Sequence, residues 1–310
     1  MRSRFRRPAA LAALCLAVFL CLAGCSSLSA PAGLPYASAS SSPSSAASSS
    51  APVPAAEGAL TLHFFDVGQG DATLVTTPAG ENILIDGGPR ASGQALCGYL
   101  DALGVQKLDR VIATHPHEDH IGGLVAVIPR YEIGEVVMPY YPATTKVYRD
   151  LLTAIDQKGL SITPAAQGMA LDLDSQTAWQ VLWPPEDAES AAGDNPNNAS
   201  VVLRITFGED AVLLTGDAEK EVEAQLEGEL ASGLLKVGHH GSSTSTSAAF
   251  LKKVAPGFAV IMVGQDNSYN HPNAKVVQRL TQAGAQVLRT DEAGTITLQS
   301  QGQGWQLVQD

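Results

Sequence analysis

Short apolar runs alternate with polar, glycine-rich turns throughout residues 59–310. Runs of this kind predict β-strands, whereas longer segments with apolar residues every three or four positions predict helices. Strands are predicted at 60–67, 72–77, 82–86, 110–114, 136–138, 180–183, 201–207, 211–215, 234–237, 258–263 and 294–298. Helices are predicted at 91–103, 121–128, 147–158, 220–230, 248–254 and 274–283. The alternation predicts one α/β domain with two mixed sheets and helices on their outer faces.

Polar side chains that suit chemistry follow the apolar strands where those strands end. Asp66, Asp86, His115, Asp217 and His239 all occupy such positions. In open sheets, binding sites are built beyond the carboxyl ends of the strands. We therefore expect these residues to converge at one edge of the fold.

The strongest local signal follows the predicted strand at 110–114. Within six positions the chain has three imidazoles and two carboxylates, those of His115, His117, Glu118, Asp119 and His120. Imidazole and carboxylate are preferred ligands of divalent metals such as zinc. The cluster therefore predicts a metal site on a strand-to-helix turn.

A second histidine cluster lies more than a hundred residues later, at His239 and His240. Five of the seven histidines belong to the two clusters, and the other two are His63 and His271. Two divalent metals that share a carboxylate explain such a concentration, because they need about seven or eight ligands. His63 lies within a predicted strand, and a packing or surface role is expected for it.

The first 24 residues have a different pattern. Arginines at positions 2, 4, 6 and 7 precede an uncharged apolar run at 9–23, which is short for a membrane span. The run ends in Leu22-Ala23-Gly24-Cys25, which resembles the lipobox of bacterial lipoproteins. The resemblance implies a signal peptide at 1–24 and a lipid on Cys25, and hence an extracytoplasmic protein anchored to the cell membrane. An ordinary signal peptide cleaved nearby and an uncleaved anchor are the alternatives.

Residues 25–58 are rich in Ser, Ala and Pro, a composition that predicts a flexible tether. Removal of the four leader arginines leaves 15 basic against 31 acidic residues, a formal charge of −16. This charge argues against broad attraction to nucleic acid. Cys97 is then the only free thiol, and its apolar surroundings in sequence predict a packing role.

Several motifs together resemble one family. His115-x-His117-x-Asp119-His120 matches the signature of the metallo-β-lactamase superfamily. The segments at 65–72, 214–217, 236–242 and 267–272 are similar to the hydrolase domain of the ComEC family of DNA-uptake competence proteins. The resemblance covers essentially all of residues 60–300 and implies a four-layer αββα sandwich, with 59–310 as the hydrolase domain.

The resemblance also implies a role for each site residue. His115 and His117 would bind a first divalent metal, Asp119 and His120 a second, with Asp217 between the two. His240 would complete the second metal site, and His239 would face the substrate. The list of catalytic groups is then Asp119, His239 and His271. Asp66 and Asp86 would orient the ligands by hydrogen bonds.

This chain departs from the superfamily at one position. The superfamily usually has a third histidine on the first metal, but no histidine occurs between His120 and His239. The corresponding segment is 195–200, in which an Asn or Ser oxygen, or water, would have to substitute. A weaker first site is expected, and the oxygen-richer coordination leaves manganese as the alternative to zinc.

The resemblance implies a metal-dependent hydrolase of phosphodiester bonds, with DNA as a possible substrate. Within enzymes, the alternatives are an esterase of cell-wall phosphocholine or teichoic acid, and hydrolysis of a lactam or lactone ring, which the missing histidine disfavours. From a different class, a non-catalytic surface-binding lipoprotein remains an alternative. The sequence indicates no protein partner.

Overall fold

A computed structural model describes residues 58–308 of the protein. The leader at 1–24 and the tether up to residue 57 lie outside these residues. The strands are β1 Leu60–Phe64, β2 Thr73–Thr76, β3 Asn82–Ile85, β4 Lys107–Ile112, β5 Glu132–Pro139, β6 Ile162–Ala165, β7 Thr177–Trp183, β8 Val202–Phe207, β9 Asp210–Leu214, β10 Leu234–Lys236, β11 Phe258–Ile261, β12 Gln286–Arg289, β13 Ile296–Ser300 and β14 Trp305–Val308.

Most helices are short. They are α1 Gly93–Ala102, α2 Glu118–Ile121, α3 Leu124–Arg130, α4 Lys146–Gln157, α5 Ala188–Ala192, α6 Lys220–Glu223, α7 Ala248–Val254, α8 Ala274–Gln282 and α9 Thr290–Ala293. Single 3₁₀ turns occur at Arg90–Ser92, Pro196–Ala199 and Gly238–Gly241. Within residues 58–308, no helix combines the length and the apolarity that crossing a membrane requires.

The strands form two mixed sheets. The first has the order β14-β13-β1-β2-β3-β4-β5-β6 and the second the order β12-β11-β10-β9-β8-β7. The first sheet is antiparallel as far as β3 and parallel from β3 to β6. The second is parallel from β9 to β12 and antiparallel from β7 to β9. The predicted αββα sandwich is confirmed.

Three apolar layers hold the sandwich together. Leu62 and Phe64 of β1 pack with Val181 and Leu203 of the second sheet, between the two sheets. The other two layers lie between each sheet and the helices on its outer side. At roughly 25 cal/mol per Å² of buried apolar surface, these layers are the main favourable contribution to folding.

The apolar periodicity and the N-terminal cap of α4 explain where this helix begins and which face it buries. In α4 the residues Val147, Leu151 and Ile155 recur at the helical period, and all three are buried. Thr145 caps the same helix, because its side chain accepts the N–H of Tyr148 at 3.3 Å. This amphipathic pattern is why the sequence predicts α4 nearly to the residue.

Cys97 is packed in the interior, as predicted, and His63 takes the packing role rather than the surface role, both of which were left open for it. His63 is 1% exposed on β1, and its Nδ1 lies 3.0 Å from the hydroxyl of Thr297. Cys97 is 2% exposed within α1. Burial raises the pKa of the Cys97 thiol, which keeps it protonated and unreactive at neutral pH.

The predicted helix at 220–230 is wrong in its length, since α6 ends at Glu223. Leu226 and Leu230 are buried, as the apolar spacing required. The helix nevertheless ends at its C-cap, Ala224, and residues 226–230 are not helical, with Gly228 at a φ of +80°. Short elements with little apolar periodicity are not predicted from the sequence, namely β6, β12, β14, α5 and α9.

The glycine pair after the histidine cluster is required by close packing between loops. A Cβ on Gly123 would lie 2.0 Å from the carbonyl oxygen of Gly87, and one on Gly122 would lie 2.3 Å from the nitrogen of Arg90. Such contacts bring the loop after β3 against the loop after β4. The two loops thereby hold their carboxylate and imidazoles at one edge of the sandwich.

We expect Gly123→Ala to lower the free energy of unfolding by at least about 1–3 kcal/mol, because the methyl group overlaps backbone. Gly98→Ala is the matched control: Gly98 lies exposed in α1, and its Cβ would meet no atom of the described residues within 4 Å. The control should gain roughly 0.5–1 kcal/mol. Urea unfolding of both variants checks this, and equal stability of the two would contradict the packing argument.

Candidate metal centre

The carboxylate of Asp86 organises the loop that carries the histidine cluster. It follows β3 and accepts the N–H of Thr114 at 2.8 Å and the Thr114 hydroxyl at 2.7 Å. Its Oδ2 also lies 2.8 Å from Nδ1 of His120. The predicted role of Asp86 in orienting a ligand thus agrees with its contacts, because a partner on Nδ1 leaves Nε2 of His120 free to bind elsewhere.

Three predicted ligands come together around a fourth, Asp217. Ligand atoms of Asp119, His120, Asp217 and His240 all lie within 4.8 Å of one another. Oδ2 of Asp217 is 3.2 Å from Nε2 of His120 and 3.5 Å from Nε2 of His240. Nε2 of His240 is also 3.2 Å from Oδ2 of Asp119. This is the set that the family resemblance implies for the second metal, with Asp217 shared.

The donor set fits a divalent metal ion. Oδ1 of Asp217 is buried and has no hydrogen-bond partner within residues 58–308. A buried polar atom without a partner costs about 1–3 kcal/mol. Imidazole nitrogens and carboxylate oxygens that converge in this way are what a borderline divalent ion requires.

His115 and His117, the predicted ligands of the first metal, lie beside this set. Nε2 of His115 is 3.0 Å from Nδ1 of His117 and 4.0 Å from Oδ2 of Asp217. The same carboxylate oxygen therefore faces both groups of imidazoles. That placement suits the shared position predicted for Asp217.

The segment 195–200, which lacks the third histidine, contacts the site residues through hydrogen bonds. The hydroxyl of Ser200 lies 3.3 Å from Nδ1 of His115 and accepts the backbone N–H of Asp217 at 3.0 Å. Ser200 thus orients His115 and is turned away from its Nε2, so it does not replace the missing ligand. Oδ1 of Asn197, which is buried without a partner among the described residues, is the oxygen that this segment leaves available.

Asp71, which the sequence analysis did not single out, takes the place expected for Asp66. Oδ1 of Asp66 accepts the N–H of Gly68 at 3.1 Å, so its side chain closes its own turn. Asp71, at 4% exposure, lies 3.2 Å from Nδ1 of His240. Asp66 follows an apolar run directly, whereas Asp71 ends the Gly-rich turn at 68–70, so the sequence favoured the residue that the turn geometry keeps out of the site.

A buried lysine beneath the site was also missed. Lys236 ends β10 with 2% exposure and forms an ion pair with Asp71. Its ammonium also donates to the carbonyl of Gly216 at 2.9 Å and lies 3.8 Å from Asp217. Burial alone would lower the pKa of Lys236, but the charges of Asp71 and Asp217 outweigh it and raise that pKa. Lys236 therefore stays charged at neutral pH.

The buried carboxylates also favour the protonated forms of the His120 and His240 imidazoles. Burial works against charge on His120, but Asp217 and Asp86 outweigh it and raise its pKa well above the usual value. Burial is likewise outweighed at His240, where Asp217 and Asp71 raise the pKa to about 10. In the metal-free chain both imidazoles are cations. A metal ion must displace these protons, so metal affinity should rise with pH.

His239 and His240 diverge, although they are adjacent. Both have positive φ, 50° and 51°, within the turn Gly238–Gly241. His240 is directed to Asp119 and Asp217, whereas Nδ1 of His239 lies 3.0 Å from the hydroxyl of Thr244 and 3.3 Å from Oε1 of Glu219. The remaining nitrogen of His239, Nε2, lies 3.9 Å from Oδ2 of Asp217. Glu219, which the sequence analysis also missed, thus orients the imidazole at the opening of the site.

An open cavity of about 260 Å³ leads to these groups. Its walls include His117, Asp119, His239 and His271, so both predicted catalytic histidines border it. Burial, with the neighbouring His239 and His240, lowers the pKa of His271 to about 4. His271 is therefore neutral at physiological pH.

The chain is similar in sequence to proteins of one known superfamily. The model of the metallo-beta-lactamase superfamily matches residues 65–265. ComE operon protein 3 of Bacillus subtilis (strain 168) is 32% identical over 255 residues, which cover 76% of this chain and 32% of that protein. Competence protein ComA of Neisseria gonorrhoeae is 34% identical over 256 residues, covering 79% of this chain and 32% of that protein. The chain thus spans about a third of the length of these relatives.

Among solved structures, the chain resembles Igni18, a metallo hydrolase from the archaeon Ignicoccus hospitalis KIN4/I. The TM-score is 0.51 at 23% identity, and the match covers 77% of this chain and 98% of that chain. The likeness concerns the fold.

Because Lys236 offsets buried carboxylates, we expect Lys236→Met to destabilise the metal-free protein by about 3–5 kcal/mol, the usual cost of leaving one partner of a buried ion pair alone. Adding Asp71→Asn to the same chain should restore a large part of the loss, because the unpaired charge is then gone. Urea unfolding of the two single variants and the double variant measures this coupling. Strictly additive losses would show that Lys236 and Asp71 do not act as a pair.

Proposed function

The chain belongs to the metallo-beta-lactamase superfamily and is related to competence proteins, and from this premise we propose that it hydrolyses phosphodiester bonds with two divalent ions bound. The observation that carries the proposal is the position of Asp217. Its Oδ2 lies 3.2 Å from Nε2 of His120, 3.5 Å from Nε2 of His240 and 4.0 Å from Nε2 of His115, and so is within reach of both predicted groups of ligands. One carboxylate between two groups of imidazoles is the arrangement that a two-metal site needs.

The donor chemistry favours zinc, with manganese as the alternative. His115, His117, His120 and His240 supply nitrogen, which suits zinc, and the carboxylates of Asp119 and Asp217 suit either ion. The absent third histidine makes the group around His115 poorer in nitrogen. When bound, such ions supply a Lewis acid and lower the pKa of water from near 16 to about 7.

The protein's own residues would orient the substrate and manage the proton. His239 presents Nε2 toward the cavity, while Glu219 and Thr244 hold its Nδ1. Nε2 is therefore the ring nitrogen of His239 that could exchange a proton with a substrate oxygen. His271 suits that role less well, because its lowered pKa keeps it neutral. We assign to His271 a hydrogen bond to the substrate instead.

The ComEC-type resemblance supports DNA as the substrate, although the formal charge of −16 on the processed chain works against long polyanions. A second candidate is a phosphocholine ester of the cell wall. Glu118 and Asp119 line the cavity, and no lysine or arginine does so among the residues that the structure describes. Such walls favour a substrate with a cationic substituent. Turnover of single-stranded DNA, double-stranded DNA, RNA and a phosphocholine ester distinguishes these candidates.

We expect the protein to bind two equivalents of Zn²⁺ or Mn²⁺ and to hydrolyse bis(p-nitrophenyl) phosphate. Asp217→Asn should weaken both sites and lower turnover by at least about 100-fold, since even residues that only orient ligands are worth 10–100-fold. Metal analysis and initial rates measure the two effects. Asp156→Asn, at an exposed position of α4, is the matched control and should retain both properties.

Full metal content and full activity in Asp217→Asn would refute the shared position of this carboxylate. A folded protein that takes up no divalent metal would refute the proposed function itself.

We further propose that the protein is held at the outer face of the cell membrane by a lipid on Cys25. The support is the lipobox-like Leu22-Ala23-Gly24-Cys25 and the Ser-rich segment after it. Cys25→Ala should release the protein from the membrane fraction or leave it as an unprocessed precursor. Cys21→Ala, which removes a thiol from the leader, is the matched control and should remain anchored.

Cell fractionation and the mass of the purified protein test this proposal. Membrane retention of a Cys25→Ala protein that is processed to the same size as the wild type would contradict it.

A further inference from the structure

Tyr269 is a large aromatic side chain left exposed at the mouth of the cavity. It is 65% exposed and lines the same cavity as His239 and His271. A single exposed aromatic residue is common on protein surfaces. The position of this one, beside the residues that the proposed function uses, distinguishes it from Tyr140, which is 63% exposed but does not line the cavity.

The ring of Tyr269 continues a series of flat side chains that leads out of the site. It stacks on His271 with the ring centroids 5.8 Å apart and the planes inclined by 24°. His271 in turn meets the edge of His239, with centroids 5.5 Å apart. One face of Tyr269 is directed at His271, and the exposed remainder of the ring is free to contact a ligand.

The loop that carries Tyr269 is fixed by one side chain. Oδ1 of Asn267 accepts the N–H of Tyr269 at 3.1 Å and the N–H of His271 at 3.0 Å. Nδ2 of Asn267 donates to the carbonyl of Gly264 at 2.9 Å and to that of His271 at 2.6 Å. Because the loop is organised before any ligand arrives, a contact with the Tyr269 ring incurs little ordering cost.

The charge of the cavity limits how a substrate can be held. Glu118 and Asp119 line it, and within residues 58–308 it has no lysine or arginine in its walls. The phosphates on either side of the reacting one therefore form no ion pair with the side chains that line the cavity. Affinity for the rest of the substrate has to come from uncharged contacts, and Tyr269 provides the one large apolar face at the opening.

We propose that Tyr269 is a stacking platform for an unpaired nucleobase next to the phosphodiester that is cleaved, and so determines specificity. The inference rests on the proposed phosphodiesterase function and adds a subsite to it. Aromatic side chains stack on any base, because every base has a π-face, and each such contact is worth roughly 5- to 150-fold in affinity. Bases within a duplex are already stacked on their neighbours, so the subsite should select single strands or frayed ends.

The size of the cavity agrees with this substrate. A volume of about 260 Å³ lies below the roughly 300–1,000 Å³ of sites that enclose drug-sized ligands. It has room for one phosphoryl group and part of a sugar. The base would then remain outside, at the level of Tyr269.

Recognition of a quaternary ammonium group, as in choline, is the rival use of an aromatic face beside acidic residues. Such groups are bound by cages of several aromatic rings. Here Tyr269 is the single Phe, Tyr or Trp residue that lines the cavity in the described part of the chain. The geometry therefore favours stacking over a cage.

The test uses the dinucleotide thymidylyl-thymidine and two analogues in which one or the other base is replaced by hydrogen. Cleavage is followed by chromatography for the wild type, Tyr269→Ala, Tyr269→Phe and Tyr140→Ala. The wild type should cleave the dinucleotide with a kcat/KM roughly 5- to 20-fold above that of one of the analogues. Tyr269→Ala should lose this preference, and both Tyr269→Phe and Tyr140→Ala should keep it.

Binding provides a readout that is independent of turnover. Calorimetric titration compares the binding of thymidine 5′-phosphate with that of 1,2-dideoxyribose 5-phosphate, which lacks the base. The wild type should bind the nucleotide more tightly. In Tyr269→Ala this difference in affinity should disappear, both with and without metal. Cleavage of the dinucleotide without any preference for a base would overturn the platform while leaving the phosphodiesterase function intact. So would a Tyr269→Ala effect confined to a p-nitrophenyl phosphocholine substrate. If no diester is cleaved, the proposed function fails, and the binding ratio alone decides whether Tyr269 stacks.

Discussion

Three carboxylates, those of Asp71, Asp86 and Asp217, are buried at the junction of the two sheets with at most 4% exposure. A buried carboxylate is tolerated only when opposite charge or hydrogen-bond donors surround it. Lys236 supplies one fixed positive charge. Protonated His120 and His240 supply more in the metal-free chain, and divalent ions would supply it in their place. The need to neutralise this cluster ties the fold, the metal chemistry and the proposed reaction together.

The sandwich generates the cluster because the parallel parts of both sheets end at the same edge. Asp86 and His115 follow β3 and β4, whereas Asp217 and His240 follow β9 and β10. Glycines let the connecting loops touch, most tightly at Gly123. The helices and apolar layers thereby fix residues that are more than a hundred positions apart in the chain, such as Asp119 and His240, within 4 Å of one another. The same edge carries Tyr269 and His271, so the reacting groups and the exposed aromatic ring share one opening.

Much of the site could be predicted from the sequence, because its ligands occur in dense local motifs. Composition and spacing alone are enough to recognise the cluster around His115 and the adjacent pair His239 and His240. Asp71, Lys236 and Glu219 do not, since each is a single charged residue whose partner is far away in the chain. Asp66 was expected to orient a ligand because it follows an apolar strand, but its carboxylate instead accepts the N–H of Gly68 within its own turn. Strongly amphipathic α4 was predicted closely, whereas α6 was predicted too long, because Leu226 and Leu230 are buried at helical spacing although the chain there is not helical.

The central claim is that Asp217 joins two metal ions in one centre. Electron paramagnetic resonance of the protein loaded with two equivalents of Mn²⁺ tests it most directly, because two manganese ions that share a bridging ligand couple magnetically. The account requires that the six-line signal of isolated Mn²⁺ weaken as the second equivalent binds and that a coupled multiline spectrum replace it. A six-line signal that grows in proportion to both equivalents would show two separate ions and would contradict the account.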